Sequence, residues 1–128
     1  MRIKNVSIAV GCQIFKAISE EPRVRILNLI LENREMCISD LEIIFDFTQS
    51  KTSRHMTYLK NAGILATRKD EQFVFYYIKE EVKEIVKQVF SFLSKDAQLK
   101  QDLEIYKTLY SNRELVKNKF ESRIWWGK

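Results

Sequence analysis

The chain reads as a single, mainly α-helical domain that carries one β-hairpin, and three observations say so. Only 3 glycines and 1 proline interrupt 128 residues, so few helix breakers that helices are favoured. Apolar residues recur three and four apart through most of the chain, the spacing of one helix face. The exception is Phe73-Val74-Phe75-Tyr76-Tyr77-Ile78, a β-branched and aromatic run of the kind that fills strands. The length suffices for one sizeable core and is too short for two comfortable domains, which sets aside a large multidomain enzyme. We expect one domain over residues 1–128, with a core of about 8–95 and a C-terminal helical extension of about 96–122.

Each element follows from local chemistry. From about Ser7 to Ser19, Ile8, Cys12, Phe15 and Ile18 recur at helical spacing until Glu20-Glu21-Pro22 interrupts them. Pro22 suits the first turn of a second helix, where its missing N–H is not needed. Val24, Ile26, Leu27, Leu29, Ile30 and Leu31 make that helix apolar nearly all round, so it should be the central buried element. Ser39-Asp40-Leu41-Glu42 has the capping-box spacing and predicts that a short third helix starts there. This helix runs through Ile43, Ile44 and Phe45 and pauses near Phe47. A fourth begins with Thr48 as N-cap and continues to Asn61-Ala62, where Gly63 stops it. Residues 65–69 and 73–78 then form the hairpin around Asp70-Glu71-Gln72. Val82, Ile85, Val86, Val89, Phe90 and Leu93 mark a fifth helix. Leu99, Leu103, Tyr106, Tyr110 and Phe120 mark a sixth, separated from it near Ser94-Lys95-Asp96.

The charge is unevenly placed. Twenty-two Lys and Arg against 17 Asp and Glu leave a net +5, which suits an anionic partner. Residues 48–69 hold Lys51, Arg54, Lys60, Arg68 and Lys69 and no acid at all. The basic residues after Lys95 are mixed with acids and read as a solvated helix face.

Helix–turn–helix followed by a hairpin is the winged-helix order, and its test is whether the fourth helix has one face for the core and another for DNA. Thr52, Met56 and Leu59 can pack inward, while Ser50, Ser53, Arg54 and Thr57 form a wholly polar face. Gln49, Lys51 and His55 are expected to flank that face. Arg can donate two hydrogen bonds to guanine, Gln can pair with adenine, and Ser and Thr serve bases or phosphates at short range. The helix N-terminus adds backbone donors for a phosphate. The expected partner is double-stranded DNA.

From Phe15 to Ile78 the chain resembles the ArsR/SmtB winged-helix transcriptional repressors. The resemblance rests on FKAISEEPRVRILNLI, EMCISDL, TQSKTSRHMTYLKNAGIL and RKDEQFVFYYI, of which the second and third are the specific ones. It implies a homodimer built through the first and fifth helices, bound to a near-palindromic operator and often released by an inducer. It places Gln49, Ser50, Ser53, Arg54 and His55 in the recognition helix and Arg68 and Lys69 in the wing. The wing tip departs from the family pattern: Asp70-Glu71-Gln72 is acidic, so phosphate contact should fall to Arg68 and Lys69. The segment EMCISDL carries Ser39 where metalloid-sensing members have a second cysteine, and a hydroxyl is a poor ligand for a soft metal. Residues 79–96 contain no histidine, so the dimer-helix zinc site is absent too, and neither a metal nor a cofactor is expected.

Two readings of the cysteines stay open. Cys37 and Cys12 could form a two-thiol switch, with the Cys37 thiol pKa lowered by a nearby helix N-terminus, or both could be small buried hydrophobes. An enzyme is not expected. His55 is the only histidine, Ser53 and His55 are about 200° apart around a helix, and the glycines at 11, 63 and 127 are isolated, so no phosphate-cradling loop exists. No segment approaches the roughly 18 to 20 apolar residues of a membrane span, and no export signal opens the chain, so a cytoplasmic protein is expected. Tyr106, Leu109, Tyr110 and Trp125-Trp126 are expected to extend the dimer interface. The alternatives are a disordered basic end from Ser122 to Lys128 and a small-molecule pocket between the last two helices. Two rival functions share this scaffold: a protein-interaction module and a constitutive DNA-binding regulator without a ligand switch. The operator and the effector are not specified by the sequence.

Overall fold

The computed structural model describes residues 6–116. Its elements run α1 (Ile8–Ala17), α2 (Glu21–Asn33), β1 (Glu35–Met36), α3 (Ile38–Phe45), α4 (Gln49–Asn61), β2 (Leu65–Asp70), β3 (Phe73–Ile78), α5 (Glu80–Ser91) and α6 (Ala97–Ser111). This is the expected mainly helical architecture with a hairpin after the helix pair α3–α4.

The core gathers around α2. Ile26, Leu27, Leu29 and Ile30 are fully buried, each contributing about 1.5–3 kcal/mol by leaving water. Pro22 sits in the first turn, and α2 packs against β1, β3, α4 and α6. One apolar cluster extends from Ile14 through these residues to Tyr106 and Leu115, and it is the larger of two among the described residues.

The sheet has three strands in the order β1-β3-β2, all antiparallel. In the hairpin Leu65 pairs with Ile78 and Asp70 with Phe73, leaving Glu71-Gln72 as the turn. The third strand, β1, was not expected. It is two residues long, Glu35 facing Tyr77 and Met36 facing Tyr76, too short to show an alternation.

Two terminal predictions hold and one shifts. Thr48 caps α4, its Oγ1 accepting the Lys51 N–H at 3.1 Å, and Gly63 ends it with φ of 84°. The capping box at Ser39 does not form. Cys37 occupies the cap position, without a side-chain cap hydrogen bond, and α3 begins at Ile38. Met36, fully buried and held by β3, ends the extended backbone that early. Asp40, also fully buried, instead accepts the Val116 N–H at 2.8 Å.

The ends of the chain differ more. In α1 the inward residues are Ile14 and Ala17, whereas Ile8 is 86% and Phe15 64% exposed. The stripe of Ile8, Cys12 and Phe15 thus points outward. In α6 the buried residues Leu99, Asp102 and Tyr106 belong to a helix packed on α2 and α3 of the same chain. Phe120, Ser122–Lys128 and Trp125-Trp126 lie outside the described residues. Among the described residues no helix is long and apolar enough to cross a membrane.

Candidate nucleic-acid interface

Helix α4 is amphipathic in the sense required. Thr52, Met56 and Leu59 are fully buried, and the Thr52 hydroxyl donates to the Thr48 carbonyl at 2.9 Å, so its polar atom is satisfied inside. Gln49, Ser50, Arg54 and Thr57 are exposed, with Ser53 half-buried beside them. Among the described residues Arg54 enters no ion pair, which leaves its fork of donors open to solvent. Lys51 is half-buried, its Nζ 4.1 Å from the centre of the Phe47 ring.

His55 does not flank this face. It is 4% exposed, and its Nδ1 lies 3.3 Å from the Arg23 Nη1. An arginine can only donate, so Nδ1 accepts and the imidazole is neutral there. Burial depresses the His55 pKa, and the charges of Arg23, Arg54 and Lys51 depress it further against an opposing pull from Glu20. The sequence did hold the signal: residues 52, 55, 56 and 59 make one i, i+3, i+4, i+7 stripe. The buried partner, Arg23, was the hidden part. It also donates to the carbonyls of Ala17 and Lys16, at 2.6 and 3.2 Å, and stacks 4.0 Å from the centre of the Tyr58 ring.

The wing likewise splits its two predicted cations. Arg68 is engaged within the sheet: it donates to both oxygens of Glu35, at 3.0 and 2.6 Å, and approaches Asp70 at 3.4 Å. These contacts, led by the Glu35 hydrogen bonds, raise its pKa. Strand β1 creates the pairing by bringing Glu35 to the sheet edge, so the Arg68 side chain is engaged by protein carboxylates. Lys69 is exposed on β2.

The two thiols have different surroundings. Cys12 is exposed on α1, and Cys37 is buried in a small cluster with Phe75, edged by Phe73 and Val116. The Cys37 thiol pKa is raised, first by burial and then by the Asp40 charge. This is opposite to the expected lowering, because lost hydration outweighs the helix end. Among the described residues no three His, Cys, Asp or Glu side chains are grouped to hold a metal.

Comparison with known proteins meets this geometry. The family model described as bacterial regulatory protein, arsR family, matches residues 20–67, the span from α2 through α4 into β2. An HTH-type transcriptional regulator of Methanocaldococcus jannaschii is 41% identical over 80 residues, covering 62% of this chain and 90% of that protein. The chain belongs to the ArsR family. The arsenical resistance operon repressor of Escherichia coli is 34% identical, covering 60% of this chain and 66% of its own. The chain spans 55% of the length of a cadmium resistance regulator of Listeria innocua, at 35% identity. In structure, HlyU from Vibrio cholerae superposes with a TM-score of 0.61 at 31% identity, covering 68% of this chain and 95% of HlyU. This ArsR-family chain is therefore a winged helix-turn-helix transcriptional regulator that binds double-stranded DNA.

Proposed function

We propose that the protein is a homodimeric repressor whose α4 reads its operator through Gln49, Ser50, Lys51, Ser53, Arg54 and Thr57, with Lys69 of β2 on the backbone. The observation that carries this reading is the exposed, acid-free face of α4 opposite a fully buried Thr52–Met56–Leu59 stripe. Arg54 supplies the two-donor fork that matches guanine O6 and N7, Gln49 the amide that matches adenine, and the hydroxyls short-range contacts. The first-turn N–H groups of α4 favour a phosphate, and Lys51 and Lys69 add charge without sequence preference. His55 and Arg68 drop out of the contact set because protein partners hold them.

The dimer rests on the outward face of α1. Ile8, Val10 and Phe15 are exposed there, and Phe92, 86% exposed, stands just past α5. Such apolar groups are covered when a second copy packs α1 and α5 against its own, and two recognition helices can then meet half-sites about one DNA turn apart. In this reading the protein works in the cytoplasm, without catalysis, as one domain, and Cys12 is the thiol open to an effector.

The test is titration of duplex DNA from around its own coding region, against scrambled competitor at several salt concentrations. Preference for one segment, weakening linearly in the logarithm of salt, is expected. Equal binding to scrambled DNA at physiological salt would remove the repressor reading.

A further inference from the structure

From α6 onward the chain is fastened to the rest of the fold at two places, one on α3 and one on α2. At the start of α3, the Asp40 carboxylate accepts the Val116 N–H at 2.8 Å, and Leu115 beside it is fully buried. At the far end stands an ion pair whose acid is fully buried and whose arginine is partly exposed. Asp102 of α6 has no solvent exposure and accepts from Arg25 Nε and Nη2, both at 2.9 Å. Gln98 donates to the same carboxylate at 3.0 Å. This is the planar two-donor geometry that fixes an arginine in orientation as well as in place.

What Arg25 does with that orientation is visible at its other face. Its guanidinium carbon lies 4.9 Å from the centre of the Phe45 ring and 5.6 Å from that of Phe47. Phe45 is the last residue of α3, Phe47 sits in the turn before α4, and the two rings stack at 5.2 Å. The Phe47 ring in turn carries the Lys51 ammonium at 4.1 Å. A continuous set of contacts therefore runs from α6 through Asp102, Arg25 and the turn aromatics to the first turn of α4. A buried ion pair is weak support for stability as such, because the desolvation of both charges offsets their attraction. Its clearer consequence is geometric.

We propose that Asp102 is a positioning residue for DNA binding: by holding Arg25 against the Phe45–Phe47 turn, it sets the first turn of α4, with Lys51, at the angle required by the major groove. The inference rests on the reading of α4 as the recognition helix. It makes α6 part of the DNA-binding device.

The experiment uses the full chain with Asp102→Asn, Lys51→Ala and the double variant, each measured for operator affinity and for stability by urea unfolding. Asp102→Asn is expected to weaken binding by the folded protein roughly tenfold, within the range carried by packed side-chain networks. The double variant should lose less than the sum of the two single losses, since both act through one turn. A purely structural Asp102 would lower the urea midpoint, leave the affinity of folded protein unchanged and so overturn the proposal, as would full additivity with Lys51→Ala. If Asp102→Asn does not fold, Gln98→Ala, which removes a single hydrogen bond to the carboxylate, should weaken binding in the same direction, and unchanged affinity there would equally overturn it. Loss of binding in neither Lys51→Ala nor Arg54→Ala would instead refute the recognition-helix reading itself.

Discussion

At the scale of single residues, the polar side chains of the helix–turn–helix divide by whether the protein supplies their partners. Arg54 and His55 are adjacent in sequence, yet one faces solvent and the other meets Arg23 in the core. The sign of the His55 pKa shift gives a prediction. Its folded pKa lies below the ordinary 6.5, so the folded state binds fewer protons than the unfolded state once pH falls through that value. The stability gained from this site is present above about pH 6.5 and is lost as pH drops through the folded pKa. His55→Gln should flatten the fall in urea midpoint between pH 7 and pH 5, and an unchanged slope would assign that fall to other groups. The sequence showed the residue types of this surface but not their partners. Arg68 and Lys69 look alike in the chain, and what separates them includes a contact 33 residues away, to Glu35. Long-range ion pairs leave no periodic trace, which is why Arg68 read as a phosphate contact.

Secondary-structure elements were legible where their signals are local. Thr48 caps α4 because a threonine hydroxyl can reach an N–H three residues on. Gly63 ends it because the backbone there adopts φ of 84°, which costs little only without a Cβ. No atom lies within 4 Å of where that Cβ would stand, so the cost of adding one is conformational rather than steric. Gly63→Ala should therefore lower stability by about 1 kcal/mol, read as a smaller urea midpoint at unchanged slope, with operator affinity kept. No change in midpoint would mean that the helix end relaxes freely. The Ser39 box failed for the opposite reason: a local pattern competed with Met36 in the core and Asp40 on the C-terminal segment, and tertiary contacts prevailed. Strand β1 exists only because β3 offers it an edge.

For the whole molecule, the order of helices and hairpin was readable because each apolar stripe has its own period, but the assignment of stripes to partners was not. Ile8, Cys12 and Phe15 have the spacing of a buried face, and the described fold leaves them outside; a stripe meant for a second copy is written like one meant for the core. Phe15→Glu should accordingly shift the protein toward monomer in sedimentation equilibrium and weaken operator binding, while the monomer stays folded. An undisturbed mass would place the dimer contact elsewhere. Helix α6, whose stripe suggested an interface, covers α2 and α3 of its own chain. The proposed function stands on base reading by the open face of α4. The most direct measurement is the affinity of Arg54→Ala for the operator and for operators substituted one base pair at a time. A loss of roughly 1–3 kcal/mol that disappears when one particular base pair is changed is expected. A folded Arg54→Ala protein that binds every one of these duplexes as the parent does would contradict it.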